Sequence, residues 1–430
     1  MTKQSLKVLS ICTSDSIGGA ARAAYRIHQG VRQLGVDSTM LVKDKRSNDA
    51  SVIDLKSFES QNPFYKAFDW VRNIFKNKLQ HASWNRYPNR ENIFMSDLRS
   101  CDIHGVLQKL DYDVLHLHWI NQRFIPLEAL PKNKPIVWTL HDSWPFCGIC
   151  HYFFECKEYT RQCGNCPFLH SNKENDLSRE VWERKSEIYK NLDLHIVTPS
   201  KWLAECAKQS SLFGRFPVEV IPNCLDTEVF RPLKEDEISP RWKYLHRLSK
   251  QKPLVLFGAV NATKDKIKGF AELLAALQWL ENNGHSNDFE LVVFGADQSD
   301  LNIETTIPIH YVGYIIDAKE LVSLYNLASV VVVPSLTENL SYAIMESLSC
   351  ETPVVAFNIG GNSDMIEHQQ NGYLADKRIE VDLAAGICWC LKNNSYNILG
   401  KKGREKVNKL FLSNKVSEKY SIVYNNVFYE

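Results

Sequence analysis

Two carboxylates eight residues apart, Glu338 and Glu346, follow an apolar run at Val330–Val333. With 50 acidic residues in a chain of 430, several pairs at this spacing arise by chance, so the pair needs context. Here Glu338 falls in a polar loop after a strand-like run, and Glu346 falls about two turns into a helical pattern. Asn339, Leu340 and Ser341 lead into that helix, whose free backbone N–H groups and positive dipole end suit a diphosphate. Gly18-Gly19 follows the first apolar run and Gly360-Gly361 follows Pro353–Phe357, although a glycine pair alone is more often a turn than an anion site. Lys268-Gly269 begins another helical pattern. Its ammonium would offset charge on a leaving phosphate, whereas taken alone it reads as a solvated helix-start lysine.

A second group of reactive side chains is the cysteines. Five of twelve, Cys147, Cys150, Cys156, Cys163 and Cys166, fall within residues 147–166. Cys150, Cys156, Cys163 and Cys166 offer four thiolates on short loops, which is what a closed tetrahedral zinc site requires. Cys147 and His151 are spare candidates, and a pair of disulfides or free thiols is the alternative. His116 and His118 alternate along a strand and share a face, where with Trp119 they either line a cleft or are satisfied core histidines.

The elements that must position these groups alternate regularly. Leu6 to Cys12 reads as a strand, the spacing of Ala24, Ile27, Val31 and Leu34 predicts a helix closed by Gly35, and Ser38 to Val42 reads as the next strand. Further strands are expected at Asp113–His118, Pro135–His141 and Leu194–Pro199. After the Pro-containing stretch Ile221–Pro232 the pattern restarts, with strands at 254–258, 290–294, 329–333 and 353–357, and helices near 270–280, 318–327 and 342–348. Alternation in both halves implies an α/β protein of two doubly wound domains with a cleft between them. Residues 1–222 are expected to form the first and 223–405 the second, with 406–430 a helix crossing back to the first.

Bulk composition narrows the function classes. The net charge of +1, from 51 basic and 50 acidic residues, argues against a dedicated nucleic-acid binder. No apolar stretch approaches the roughly 20 residues of a membrane span. The first residues are too briefly apolar for an export signal. A cytoplasmic location is therefore expected, and with it reduced cysteines or metal ahead of a disulfide framework. Between Phe64 and Leu79, five apolar residues share a helical face with Lys66, Arg72, Lys76 and Lys78 elsewhere. That face either packs into a core or lies on an anionic membrane surface.

At Pro334–Leu374, where Glu338 and Glu346 are followed by Cys-Glu-Thr-Pro-Val-Val-Ala-Phe-Asn-Ile-Gly-Gly and Asn-Gly-Tyr-Leu, the chain resembles a retaining glycosyltransferase of family 4. The stretch Ile221-Pro-Asn-Cys-Leu-Asp-Thr-Glu-Val-Phe-Arg-Pro, Gly18-Gly-Ala-Ala-Arg22 and Thr139-Leu-His-Asp142 fit the same family in the same order. The Trp-Pro-Phe-Cys-Gly-Ile-Cys-His-Tyr context is similar to a branch acting in bacterial exopolysaccharide synthesis, colanic-acid-type enzymes included.

The resemblance implies the GT-B architecture and a UDP- or GDP-sugar donor, with no catalytic metal. It also implies a saccharide acceptor, expected here to be lipid-linked and met at the cytoplasmic face of the inner membrane. It assigns Glu346 to the nucleotide ribose, Glu338 to the donor sugar, Lys268 to the diphosphate, Gly19 to a backbone approach to that diphosphate, and His141 to the donor sugar and acceptor. Relatives usually carry an arginine after the glycine that ends the strand preceding this lysine. Here the segment runs Gly258-Ala-Val-Asn-Ala-Thr-Lys264-Asp-Lys266, which leaves Lys264 or Lys266 to supply the charge, or the site to work with one cation. A sugar-nucleotide epimerase, a sugar phosphorylase and an inactive sugar-binding scaffold are the competing expectations.

Overall fold

The computed structural model describes residues 6–58, 83–97, 104–259, 261–296, 304–394 and 397–429. The amphipathic stretch 64–79 lies outside the described residues. The chain divides into two compact units, one of Met1–Ile221 with Val416–Glu430, the other of Pro222–Lys415.

The first unit holds a seven-stranded sheet: β1 (Lys7–Ser14), β2 (Asp37–Asp44), β3 (Val52–Asp54), β4 (Val114–Leu117), β5 (Ile136–Thr139), β6 (Leu194–Thr198) and β7 (Val218–Val220). Their order is β3-β2-β1-β4-β5-β6-β7, and every pairing is parallel. Parallel sheets are covered on both faces, which is why β4 and β5 are apolar-rich and buried along their whole length. The helix Gly19–Gln33 crosses between β1 and β2, buries Ala24, Ile27 and Val31, and gives way to Gly35 at φ 86°, a left-handed conformation that glycine adopts without strain.

The second unit repeats the plan with β8 (Leu254–Gly258), β9 (Glu290–Phe294), β10 (Ile309–Tyr311), β11 (Val330–Val333), β12 (Val354–Phe357) and β13 (Gly372–Ala375). The order is β10-β9-β8-β11-β12-β13, again all parallel. In both sheets the progression reverses beside the first strand, between β1 and β4 and between β8 and β11. Loops leaving the two strands at such a point turn to opposite sides, and the crevice they leave is where doubly wound sheets take ligands.

The helix Ser413–Tyr429 buries Val416, Tyr420, Val423 and Tyr424, and residues from 416 onward belong to the first unit. Tyr424 shares a 2.7 Å hydrogen bond with His116 Nδ1, and Tyr420 shares one of 2.9 Å with Thr139 Oγ1. His116 Nε2 bonds the same threonine hydroxyl at 2.8 Å. His116, Thr139 and both tyrosines are fully buried. An unmade bond in such a place costs the desolvation of the group left behind, so the network fixes where the helix docks.

Replacing Tyr424 by Phe would leave His116 Nδ1 buried and unsatisfied. The expected cost is about 1–3 kcal/mol in urea unfolding, with the slope unchanged. An unaltered midpoint would show that the helix docks by apolar burial alone.

Candidate functional site

In the second unit, three loops at the carboxyl ends of β8, β11 and β12 meet. A short helical turn, Lys266–Lys268, is capped by Asp265, whose side chain accepts from Ile267 N at 3.0 Å. Gly269 follows at φ 74°, and a Cβ there would lie 1.7 Å from the Pro334 carbonyl oxygen. Only glycine allows this approach, which is completed by a 2.8 Å bond from Leu336 N to Ile267 O. Gly360, at φ 51°, sits equally close to the Glu338 carbonyl oxygen, which also accepts from Gly361 N at 3.3 Å. The second glycine pair thus supports the backbone of Glu338.

Lys268 Nζ lies 3.5 Å from Glu338 Oε2, and both side chains are partly exposed. The charge of Glu338 outweighs desolvation and raises the lysine pKa, so the ammonium persists through the neutral range. Lys264 and Lys266 are exposed on the same segment. Asn339, Leu340 and Ser341 lead into the helix Tyr342–Ser349, with Leu340 and Ser341 buried. Ser341 occupies the N-cap with extended backbone and no side-chain cap, and the first turn holds no acidic residue. Glu346 is buried on this helix, and its Oε2 accepts from the Tyr325 hydroxyl at 3.1 Å. The structure therefore brings Lys268, Glu338, the helix start and Glu346 into one region of the second unit. Tyr325 escapes a sequence reading because its partner lies on a different helix.

In the first unit, Gly18 (φ 87°) and Gly19 are exposed where β1 gives way to its helix, which carries no acid in its first turn. The end of β4 and the loops after β4 and β5 hold the histidines His116, His118 and His141. His118 Nδ1 bonds His141 Nε2 at 3.1 Å, and the His116 and His118 rings pack with centroids 4.0 Å apart. His116 and His118 are thus buried core histidines, while Trp119 stays partly exposed. Burial lowers the pKa of His116 to about 3, holds His118 well below its usual value, and lowers His141 to about 4.

Asp142, next to His141, is a hub the sequence did not single out. It accepts from Trp119 Nε1 at 2.7 Å, His151 Nδ1 at 2.6 Å and Trp144 N at 3.0 Å. Burial alone would raise its pKa, but His151 and these hydrogen bonds outweigh that and lower it. The available signal was the recurrence of polar and aromatic residues directly after β4 and β5.

The cysteine-rich segment carries the thiols on which the zinc expectation rests. Cys147, Cys150, Cys156, Cys163 and Cys166 are unbridged, and the described residues hold no group of three or more His, Cys, Asp or Glu side chains arranged to take a metal ion. The four-thiolate zinc expectation therefore finds no formed site, and the disulfide alternative finds no bridge. Sequence spacing put the thiols on short loops but could not say where each sulfur points. Cys150 instead shares a side-chain hydrogen bond with Cys166, and that bond with burial pushes the Cys150 thiol up. Burial likewise raises Cys163 to about 12. The segment is organised by Lys185, whose buried ammonium donates to the carbonyls of Trp144, Cys147 (3.0 Å) and Gly148 (2.9 Å) and lies 3.7 Å from the centre of the Trp144 ring. Desolvation lowers its pKa to about 7.

Comparison with known proteins matches residues 17–229 to the model described as Glycosyltransferase Family 4, and residues 251–393 to Glycosyl transferases group 1. The putative colanic acid biosynthesis glycosyl transferase WcaC of Escherichia coli K12 is 23% identical over 84% of this chain and 85% of its own. Among solved structures, Anabaena HepE in complex with UDP-glucose aligns with a TM-score of 0.63 at 14% identity, covering 98% of this chain and 100% of its own. Sucrose-phosphate synthase from Thermosynechococcus elongatus aligns at 0.63 and 18% identity, covering 98% of this chain and 99% of its own. The architecture is GT-B.

The buried histidines give a pH signature. Their folded pKa values lie below the value near 6.5 of an unfolded histidine, so the unfolded chain binds more protons as pH falls. Stability is complete above about pH 6.5 and declines towards pH 4. Calorimetric unfolding at pH 5.5 in buffers of different ionisation enthalpy should register uptake of several protons. No uptake would mean that these histidines are already charged in the native state.

Proposed function

Because the chain belongs to the family 4 glycosyltransferases, we propose that it moves a sugar, with retained anomeric configuration, from a nucleotide sugar to a saccharide acceptor in bacterial surface or exopolysaccharide synthesis. The observation that carries this reading is the meeting of Lys268, Glu338 and the uncapped start of the helix Tyr342–Ser349 at the reversal point of the second sheet. In this reading the diphosphate lies against Lys268 and the backbone N–H groups near Asn339, Leu340 and Ser341, a charge-matched cradle. Glu346 takes the ribose hydroxyls as a carboxylate acceptor. Glu338 exchanges its contact with Lys268 for one with the donor sugar and stabilises positive charge at the anomeric carbon.

The anomeric carbon–phosphate oxygen bond breaks as the acceptor oxygen bonds to the same face of that carbon. The acceptor proton passes to the departing phosphate, so no separate protein base is needed. Gly19, beside Gly18, serves the diphosphate by backbone approach, and His141 serves the donor sugar and acceptor. UDP is the favoured nucleotide because HepE, whose fold this chain shares, is described with UDP-glucose. The acceptor is proposed to be lipid-linked and reached at the cytoplasmic face of the inner membrane. The described residues hold no helix long and apolar enough to cross one.

The test is a panel of UDP- and GDP-sugars offered with and without a lipid-linked saccharide, following nucleoside diphosphate release and product stereochemistry. Transfer is expected to need the acceptor and to fall about a hundredfold in Glu338→Gln, the scale of losing one charge-stabilising contact. Undiminished transfer in that variant removes Glu338 from the mechanism. Sugar isomerisation without acceptor would establish an epimerase, and dependence on free phosphate a phosphorylase. Donor binding with no turnover of any kind would leave a scaffold.

A further inference from the structure

Glu346 is only 2% exposed, and the carboxylate of a glutamate is a loosely defined group, because its last torsion is broad. To meet a ligand in one orientation it must be held by something in the protein. A hold comes from the neighbouring helix Ala318–Leu327, which leads into β11. There Tyr325 is buried at 1% exposure, and its hydroxyl donates to Glu346 Oε2 at 3.1 Å, across 21 positions of sequence.

The backbones on either side of this bond are fixed by other means. Thr352 Oγ1 donates to the Tyr325 carbonyl at 2.7 Å, and Ser347 Oγ donates to the Thr352 carbonyl at 2.8 Å. Both hydroxyl residues are buried. With the Tyr325–Glu346 bond they close a circuit that ends at the residue beside Ser347. Residues 230–233 tie the same two helices a second time. Ser349 Oγ donates to Phe230 O at 2.5 Å, Asn326 Nδ2 donates to Arg231 O at 3.0 Å, and Asn326 Oδ1 accepts from Leu233 N at 2.7 Å. Asn326 is next to Tyr325, and Ser347 and Ser349 stand on the helix of Glu346. The helices would keep their places without the tyrosine hydroxyl. What that hydroxyl adds is the direction in which the carboxylate faces.

We propose that Tyr325 is a positioning residue of the nucleotide site, which sets the plane of the Glu346 carboxylate so that the two ribose hydroxyls meet its lone pairs in line. The inference rests on the reading of Glu346 as the ribose acceptor and lies wholly in the second unit. A carboxylate has about four lone-pair sites on its two oxygens, so one bond from a phenol fixes the plane and leaves acceptor capacity for a pair of hydroxyls. Those hydroxyls sit on adjacent ring carbons at a set separation, and therefore demand one orientation of the acceptor. A carboxylate turned in advance spares the complex the cost of ordering it. Tyr325 thus acts on the sugar of the nucleotide through Glu346, without touching it.

The test is equilibrium titration of the full chain with UDP and GDP, each beside its 2′,3′-dideoxy analogue, following whichever nucleotide binds. The ribose hydroxyls are expected to strengthen binding, and Tyr325→Phe to shrink that preference about tenfold, the scale of a hydrogen bond to a charged acceptor. Affinity for the dideoxy analogue should stay unchanged, because the variant keeps the ring and its packing. Equal weakening of both nucleotides would reduce Tyr325 to a structural part and overturn the proposal, as would an undiminished preference. In a second arm, Tyr325→Phe added to Glu346→Gln should weaken UDP or GDP no further than Glu346→Gln alone. Additive losses overturn the proposal, since they mean that Tyr325 does not act through Glu346. Binding of neither nucleotide overturns the donor reading and this inference with it, whereas a ribose preference lost in Glu346→Gln but kept in Tyr325→Phe strikes the positioning role alone.

Discussion

A parallel sheet can be wound in both directions only if the winding reverses once, and at that reversal two neighbouring strands send their loops apart. Lys268 and Glu338 in one unit, and Gly18 and His118 in the other, are gathered by that constraint. In the second unit β8 and β11 deliver Lys268 and Glu338 to one place, and the glycines at 269 and 360 let their backbones approach to within hydrogen-bonding reach. In the first unit β1 delivers Gly18 and Thr13, and β4 delivers His118, Trp119 and the strained Gln122–Arg123 pair.

The two units handle charge differently. The second pairs an ammonium with a carboxylate in a partly exposed loop, where solvent keeps the pair weak and exchangeable. In the proposed reading a diphosphate then competes for the lysine. The first unit excludes charge from its histidine layer by burial and confines it to Asp142, which is satisfied three times over. One arrangement is suited to an anion that comes and goes, and the other to holding geometry fixed. The balance of 51 basic against 50 acidic residues conceals both.

What could be read from the chain alone follows from range of interaction. Glu338, Lys268 and the glycine pairs stand in segments that follow strongly apolar strands, and Glu346 in a helix that follows one, so local pattern sufficed to locate them. The three-residue strands β3, β7 and β10 are too short to leave a periodic trace, and only the sheet beside them makes them strands. The bond between His116 and Tyr424 spans 308 positions and has no local signal. The cysteines show a limit of another kind. Their spacing suggested convergence on an ion, but left-handed backbone at Cys163 and Asn165 and the Lys185 clamp decide where the loops go. The Asp142 hub went unread because a carboxylate holding two aromatic N–H groups has no sequence signature.

The chain leaves the first unit at Ile221 and returns to it only at Val416. On the ribosome the order of construction is therefore inverted. The second unit has all its residues available while the first still lacks Tyr420 and Tyr424, the partners of Thr139 and His116. Domains generally fold as units in the order they emerge, but here the earlier one must wait, half-satisfied, for the later one to be made. The buried polar layer between β4, β5 and the returning helix acts as a completion lock: the first unit reaches its native state only after translation of the second has finished.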